Sequence, residues 1–403
     1  MKSRVVITGL GVVSPVGQGI VSFETALRSG ISGIRQNRWH DTAEARSQLV
    51  GQIDPFEPPS QLSREERKHL SRADQYALAA TIEALAHTRF DPASVGGERV
   101  GVVLGSGGGV ANSEAYVEHA YKETVGRPST LLSVSPDSAG AAIARHFGLH
   151  GPRSSIMTAC SSGATAIGYA ADFIQCGFAD VMLAGGTESL SHVTFSGFNA
   201  LKALATGRNR PFDLRRDGIV LGEGAAILVL ESYEHAMARG ARILAELAGY
   251  GISSDANHIT APHPEGDGMA RAMEQAISRA GVSLDAIGYI NAHGTGTALN
   301  DKSETMAIHR VFGEHAKSTA VSSIKPMIGH TLSAAGAIES VATILGLRGQ
   351  FLPPTLNYEE PDPECDLDYV PNVARNASFQ YAMKNSLAFG GNNTSLIFKR
   401  HES

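Results

Sequence analysis

A cysteine stands at the junction of two apolar segments, where a thiol could act as a nucleophile. Cys160 lies in "SSIMTACSSGATAIGYA", residues 154–170. The run before it predicts a buried strand, and the run after it predicts a helix with Ala164, Ile167 and Ala171 on one side. A thiol at such a turn faces the positive end of the helix, which favours the thiolate. A lone cysteine is more often a small buried hydrophobe, so the rest of the chain must decide.

Two histidines occupy comparable turns. "NAHGTGTALND" places His293 at the end of a buried strand, and "SSIKPMIGHTLSAAGAIE" places His330 before an alanine-rich helix, after Lys325. A thiolate can form a covalent thioester, and neutral imidazole N–H groups can stabilise an enolate oxygen. Cysteine with two histidines therefore indicates carbon–carbon bond formation. A cysteine protease would instead pair one histidine with an Asn or Asp and admit water.

The elements that must position these residues alternate between strands and helices. This alternation predicts an α/β class with largely parallel pairing and helices on both faces of the sheet. The pattern restarts near residue 241, so we expect one part, 1–240, with the cysteine and a second, 241–403, with both histidines. Each part delivers polar, glycine-rich segments from strand ends, where α/β proteins usually build their sites.

One glycine-rich segment imitates a dinucleotide-binding loop. In "GLGVVSPVG", Gly9 and Gly11 fit the first two glycines of GxGxxG, but Ser14 stands where the third is required. We interpret the segment as a tight turn after the first strand.

Composition and charge disfavour several classes of protein. The 403 residues are 42% hydrophobic and 18% charged, which permits a large core. A net charge of −6 without a long basic run disfavours nucleic acid as a partner. Three cysteines without CxxC spacing disfavour a zinc site or a disulfide framework and fit the cytoplasm. No apolar run has the length of a signal core or a membrane span, so we expect no membrane partner.

Four segments together resemble the active-site segments of the β-ketoacyl-acyl carrier protein synthases, the elongating type I/II being the nearest match. Their order and spacing agree over essentially the whole chain, whereas any one of them alone would be a weak signal. The segments are "TACSSGATA", "NAHGTGT", "IKPMIGHTLSAAGAIE" and "NSLAFGGNN".

The resemblance implies a thiolase-like fold, with two similar α/β halves in a five-layered αβαβα core, and a homodimer. It implies an acyltransferase of fatty acid biosynthesis that moves an acyl group from acyl carrier protein to Cys160. Malonyl-carrier protein then loses CO2, and its carbanion attacks the thioester to give a 3-oxoacyl product. No cofactor is implied beyond the phosphopantetheine arm that carries the substrates.

The resemblance also assigns roles to single residues. His293 and His330 would support decarboxylation, with Lys325 and Glu339 as a buried ion pair behind them. The other expectations are an oxyanion hole from the N–H groups of Cys160 and Phe389, pantetheine contacts from Thr295 and Thr297, a gate at Phe389 swinging on Gly390 and Gly391, a roomy acyl pocket at Gly108, and helix capping by Asp301.

One departure of this sequence from the family pattern lies at a site that binds a monovalent cation in some members. Some members hold a monovalent cation near positions matching Asn291, Glu339 and Asn385. Here Lys384 adjoins Asn385, and its ammonium could take that place. We therefore predict no metal ion.

Other functions remain open as alternatives. The main one is a ketosynthase of a type II polyketide or aryl-polyene pathway, working with or without a chain-length partner subunit. A non-catalytic chain-length partner would lack the nucleophile, a degradative thiolase would need a second reactive cysteine near its C-terminus, and an initiating synthase would pair cysteine with one histidine and an asparagine. Candidate docking segments for an acidic carrier protein are "REERK" (64–68) and "GRNR" (207–210).

Overall fold

A computed structural model describes residues 3–39, 42, 45–122, 124 and 128–401. None of its helices combines the length and the apolar composition that crossing a membrane requires, within these residues. The strands are β1 (Val5–Ser14), β2 (Gly17–Gln18), β3 (Ile34–Gln36), β4 (Leu49–Gly51), β5 (Val100–Ser106), β6 (Arg153–Ile156), β7 (Val181–Glu188), β8 (Leu221–Gly222), β9 (Gly224–Ser232), β10 (Ala245–Ser254), β11 (Ile287–Asn291), β12 (Ala320–Ser322), β13 (Phe351–Leu352), β14 (Arg375–Asn376), β15 (Tyr381–Ala388) and β16 (Asn392–Arg400). The α-helices are α1 (Ile20–Ser29), α2 (Arg64–Arg67), α3 (Arg72–Thr88), α4 (Val110–Tyr121), α5 (Ser138–Phe147), α6 (Ser162–Gln175), α7 (His192–Ala200), α8 (Tyr233–Ala238), α9 (Asp267–Ala280), α10 (Ala298–Phe312), α11 (Lys325–Ile328) and α12 (Ala335–Gly349).

One large sheet organises the described residues, and its strand order repeats. From its centre to one edge the order is β1-β9-β7-β5-β6, and from its centre to the other edge it is β10-β16-β15-β11-β12. Counted along the chain within each set, the strands lie in the order first, fifth, fourth, second and third in both sets, so the two sets have the same topology. The two sets meet where β1 pairs with β10 through Val6–Glu246 and Ile7–Ala245.

The pairing in this sheet is mixed, so the expectation of largely parallel pairing is wrong at its centre. Parallel pairs lie toward the edges, where β5 contacts β6 and β7, and β11 contacts β12 and β15. The central strands β1, β9, β10 and β16 pair antiparallel with their neighbours. A short turn, Phe389–Gly391, joins β15 to β16, and so short a connection permits only antiparallel pairing.

Alternate residues of the strands face different hydrophobic cores. In β9, Ile227 packs with α3 and α5, whereas Leu228 packs with α6 and α12. In β16, Ile397 packs with α9 and α10, and Phe398 joins the core of α6 and α12. Helices α6 and α12 therefore lie between the two strand sets, with α3 and α5 outside one set and α9 and α10 outside the other. The result is the five-layered αβαβα arrangement.

Gly9 and Gly11 lie inside β1, so the interpretation as a tight turn is wrong. A Cβ atom at Gly11 would lie 1.9 Å from the Ala80 carbonyl oxygen, and one at Gly9 would lie 2.4 Å from that of Ala84. The two glycines are needed because α3 packs directly against the strand backbone.

Candidate active site

Cys160 occupies a single 3-10 turn, Ala159–Ser161, between β6 and α6. The residue before it, Ala159, has a φ of +48°, and this left-handed conformation costs a non-glycine residue about 1–2 kcal/mol. The Cys160 side chain borders a cavity of about 370 Å³. The predicted nucleophile therefore borders a cavity that can hold a substrate, and its position requires a strained backbone conformation at Ala159.

Half of the predicted site residues, six of twelve, meet at this cavity. The Thr295 and Thr297 hydroxyl oxygens lie 2.9 Å apart within it. Gly108 is not among the described residues that line the cavity. Its φ is +81°, and a Cβ there would lie 2.3 Å from the Val134 carbonyl oxygen, so the glycine permits a close backbone contact. The predicted site residues that line the cavity are Cys160, His293, Thr295, Thr297, His330 and Phe389.

The two histidines lie edge to face, with ring centroids 5.2 Å apart. The Lys325 ammonium donates to Nδ1 of His293 at 3.3 Å, and the Leu332 N–H donates to Nδ1 of His330 at 3.2 Å. Because an ammonium and a backbone N–H only donate, each Nδ1 must be an acceptor without a proton. Each neutral ring therefore carries its proton on Nε2.

The charge state of both rings follows from their surroundings. Burial, followed by the positive charge of Lys325, holds the pKa of His293 and of His330 well below 6.5. Both imidazoles are therefore neutral at physiological pH. Two neutral N–H donors beside a cysteine can stabilise an oxygen on which negative charge develops.

Lys325 has three ammonium protons and three acceptors. Its Nζ lies 2.5 Å from the His293 carbonyl oxygen, 2.5 Å from Oε1 of Glu339 and 3.3 Å from Nδ1 of His293. Both members of the Lys325–Glu339 ion pair are buried. The pair thus lies behind His293 and holds both its ring and its backbone.

Lys384 is a second buried cation at the same carboxylate. Its Nζ lies 2.8 Å from Oε2 of Glu339 and also donates to the Asn385 carbonyl oxygen. The Asn291 side-chain N–H donates to the Glu339 carbonyl oxygen at 3.4 Å. The ammonium thus lies among the three residues considered for a monovalent cation. The described residues contain no cluster of three His, Cys, Asp or Glu side chains fit for a metal ion.

Asp301 lies in the first turn of α10 and does not cap it, because Thr297 occupies the N-cap. The buried Asp301 carboxylate accepts hydrogen bonds from the N–H groups of Phe212 at 2.7 Å and Gly296 at 3.2 Å. It thereby ties two loops together. The predicted capping role is corrected to a loop anchor.

Glu304 is a structural part of the site that the sequence analysis missed. Its buried carboxylate accepts the N–H groups of His293 and Gly294, each at 2.8 Å. Glu304 follows Asp301 by three residues, so the two carboxylates share one side of α10. Two acidic residues at this spacing, just after a polar loop, are the signal that could have identified it.

Burial favours the thiol form of the free Cys160, against the thiolate that the helix N-terminus was expected to favour. Burial raises the pKa of Cys160 to about 12, although the charge of Lys325 and a hydrogen bond from the Phe389 N–H oppose the effect. The loss of hydration of a buried sulfur outweighs the helix N-terminus. The Phe389 N–H nevertheless points at the sulfur, next to any carbonyl that the sulfur attacks.

Phe389 lies in the turn between β15 and β16. Its ring stacks against that of Phe198, with centroids 5.7 Å apart and an interplanar angle of 27°. Gly390 and Gly391 follow it with φ values of +80° and +74°. The backbone directly after Phe389 therefore has a conformation that favours glycine.

We expect Gly391→Ala to destabilise the protein more than Gly390→Ala. Both changes place a Cβ in a left-handed conformation, at about 1–2 kcal/mol. At Gly391 the new Cβ would also lie 2.8 Å from Cβ of Asp255, whereas the nearest atom at Gly390 is the flexible Asn392 amide at 3.3 Å. Denaturant unfolding measures both losses, and equal losses would contradict the packing argument.

Comparison with known proteins places these features in a family context. A model described as "Beta-ketoacyl synthase, N-terminal domain" matches residues 2–236, and one described as "Beta-ketoacyl synthase, C-terminal domain" matches residues 244–359. A 3-oxoacyl-acyl-carrier-protein synthase 2 of Staphylococcus aureus (strain COL) is 42% identical, covering 100% of this chain and 99% of the relative. A protein of the same name from Vibrio cholerae is 43% identical, covering 99% of each.

Solved structures give the same fold. "The ishigamide ketosynthase/chain length factor" superposes with a TM-score of 0.95 at 37% identity, covering 100% of both chains. A type II polyketide ketosynthase solved with its acyl-carrier protein, AntDE:AntF, superposes with a TM-score of 0.91 at 36% identity, again over 100% of both chains.

Proposed function

The chain belongs to the β-ketoacyl synthase family, and from this premise we propose that it is an elongating 3-oxoacyl-acyl carrier protein synthase. The resemblance carried by the four motifs and the thiolase-like fold that it implies are both confirmed. The observation that carries the proposal is the cavity shared by Cys160, His293 and His330, in which two neutral imidazoles present N–H donors beside a buried thiol.

The first half of the reaction transfers an acyl group to the enzyme. The sulfur of Cys160 attacks the thioester carbonyl of acyl-carrier protein, and the carrier thiol leaves with the proton that the cysteine gives up. The N–H groups of Cys160 and Phe389 hold the tetrahedral oxyanion. Because the free thiol is buried and protonated, attack must be coupled to loss of this proton.

The second half forms the carbon–carbon bond. Malonyl-carrier protein loses CO2, and the electrons of the broken bond move onto its thioester oxygen, where the Nε2–H groups of His293 and His330 stabilise the enolate. The enolate carbon attacks the Cys160 thioester, the carbon–sulfur bond breaks, and a 3-oxoacyl-carrier protein leaves. Cys160 then regains a proton, so one proton is consumed for each CO2 released.

The partner is an acyl carrier protein, whose phosphopantetheine arm enters past Thr295 and Thr297. The candidates for its docking surface are the segment 64–68, which is exposed except at the half-buried Arg67, and the segment 207–210, in which Arg208 is exposed. The chain works without a bound cofactor, in the cytoplasm, as a homodimer, and it divides into the parts 1–240 and 241–403.

The test is the intact mass of the protein after incubation with saturated acyl-carrier protein. The wild type should gain one acyl mass, Cys160→Ala should gain none, and malonyl-carrier protein should discharge the adduct as a 3-oxoacyl product. An adduct on the variant would assign the nucleophile elsewhere. No adduct with any acyl chain on the wild type would reject the synthase proposal.

A ketosynthase of a type II polyketide or aryl-polyene pathway is the second candidate. The superposition on a ketosynthase/chain length factor structure and on a type II PKS ketosynthase supports it, but no better than the relatives support the first candidate. The same mass measurement separates the two candidates. Loading by saturated chains of medium and long length indicates fatty acid elongation. Loading only by unsaturated or oxo-substituted chains, or only after a chain-length partner is added, indicates the second candidate.

A further inference from the structure

We propose that Lys384 is a positioning residue of the condensation site, because its buried ammonium shares Glu339 with Lys325 and leaves an excess positive charge behind the two histidines. The electrostatic part of this inference stands on geometry alone. Its consequence for condensation rests on the proposed function.

The positions of the three side chains show that Lys384 forms an ion pair with the second carboxylate oxygen of Glu339. Lys325 reaches Oε1 of Glu339 and Lys384 reaches Oε2, and all three side chains are buried. Lys325 already uses its three protons on His293 and on Oε1. Without Lys384, therefore, Oε2 would lack its ion-pair partner inside the protein, where an unpaired charge is costly. Lys384 thus keeps Oε1 directed at Lys325, and Lys325 directed at His293.

The charges of this triad do not cancel. Two ammonium groups face one carboxylate, so the group Lys325–Glu339–Lys384 by itself carries one net positive charge in a region of low dielectric. The buried Glu304 carboxylate acts on Lys384 as a further negative charge outside this group. Lys384 itself is strongly desolvated, which lowers its pKa, and Glu339 opposes that effect. Its charge therefore depends on the contact with Glu339.

A buried positive charge at this place has two consequences for the cavity. Lys384 and Lys325 both oppose protonation of His293 and His330 and so lower their pKa. The charge of Lys325 lowers the pKa of Cys160 and that of Glu339 raises it, so Lys384 acts on the thiol by offsetting the negative charge of Glu339. The charged groups that act on both histidines are Lys325 of α11 and Lys384 of β15, and each histidine also faces the other. Glu304 of α10 accepts the His293 N–H, and Cys160, which borders the same cavity, is acted on by Glu188 of β7 and Glu339 of α12.

The test removes the positive charge of Lys384 and measures the reactivity of the Cys160 thiol, without using any carrier protein. Lys384→Met keeps most of the side-chain volume, and Lys384→Gln also keeps an N–H donor for Glu339. Alkylation of Cys160 by iodoacetamide, followed at this peptide by mass spectrometry across neutral pH, reports the thiolate fraction. We expect both variants to react about tenfold more slowly at a given pH, the effect of one unit of pKa. Lys399→Met is the control, because that half-buried lysine lies beside the Tyr381 ring on the neighbouring strand.

A second measurement follows the histidines themselves. In an NMR titration of protein labelled at the imidazole carbons, the pKa of His293 and His330 should rise in both Lys384 variants. It should stay unchanged in Lys399→Met. Alkylation and titration curves that match the wild type would overturn the proposal, as would loss of folded protein in both Lys384 variants, which would make Lys384 a purely structural residue. Neither measurement needs a substrate, so a failed acyl-loading experiment would reject the proposed function while leaving this inference standing.

Discussion

His330→Ala is expected to lower the rate of malonyl-carrier protein decarboxylation about 10²–10³-fold, the usual effect of removing one oxyanion donor. His293→Ala should act in the same way. The reason is that each ring presents its proton on Nε2, since Nδ1 accepts from Leu332 in one case and Lys325 in the other. Acyl transfer to Cys160 should be much less affected, because the Phe389 N–H contacts the sulfur independently of either ring.

A conservative replacement tells a neutral donor from a base. The side-chain amide of His330→Gln offers an N–H near the place of Nε2 but cannot accept and hold a proton at neutral pH. A donor role predicts that glutamine recovers part of the rate lost with alanine, and that the recovered rate varies little with pH. Decarboxylation is followed as CO2 release from malonyl-carrier protein, with acyl loading measured on the same samples. Glutamine and alanine variants of equal, very low activity would indicate a proton-transfer role instead.

Local patterns predicted the alternation of strands and helices, such as the strand and helix on either side of Cys160, but could not predict the direction of the central strands. A strand such as β9, buried on both faces, has the same apolar composition whichever way it runs. The direction of a strand is set by its connections, as the short turn at Phe389–Gly391 sets the antiparallel pairing of β15 with β16 by its length. Gly9 and Gly11 show the same limit, because a glycine required by a helix passing across a strand looks like a glycine required by a turn.

The site was predicted where short motifs carry the chemistry and missed at Glu304, a single residue that supports it. Cys160 and His293 stand in turns after strands and His330 follows the short helix α11, and the fold gathers the three at one cavity. Glu304 stands within a helix, where the sequence alone does not tell a buried charge from a solvated one. Lys384 was named only because it adjoins a position that matches the family's cation site. The acidity of Cys160 was misjudged for a related reason. The helix that follows it is visible in the sequence, but the burial that outweighs this helix is a property of the whole fold.

Glu339→Gln is expected to destabilise the protein more than Lys325→Met does. Glu339 is the carboxylate between two buried ammonium groups. Replacing it with an amide leaves those two cations facing each other without an anion, and breaking a buried pair in this way costs about 3–5 kcal/mol. Lys325→Met leaves the pair of Glu339 with Lys384 intact, so its cost should be closer to that of lost hydrogen bonds to charged groups, about 1.5–3 kcal/mol.

Denaturant unfolding of the two variants, beside the double variant Lys325→Met with Glu339→Gln, tests this order. The double variant removes one charge of each sign and leaves Lys384 as a single cation, so it should be less unstable than the sum of the two losses. The stability of Glu339→Gln should also improve as the pH rises, because without Glu339 the pKa of Lys384 falls further and a neutral amine relieves the repulsion. A Lys325→Met variant less stable than Glu339→Gln at every pH would mean that Lys384 does not share the carboxylate in solution. Losses that simply add would mean that the three side chains do not act as one charge cluster.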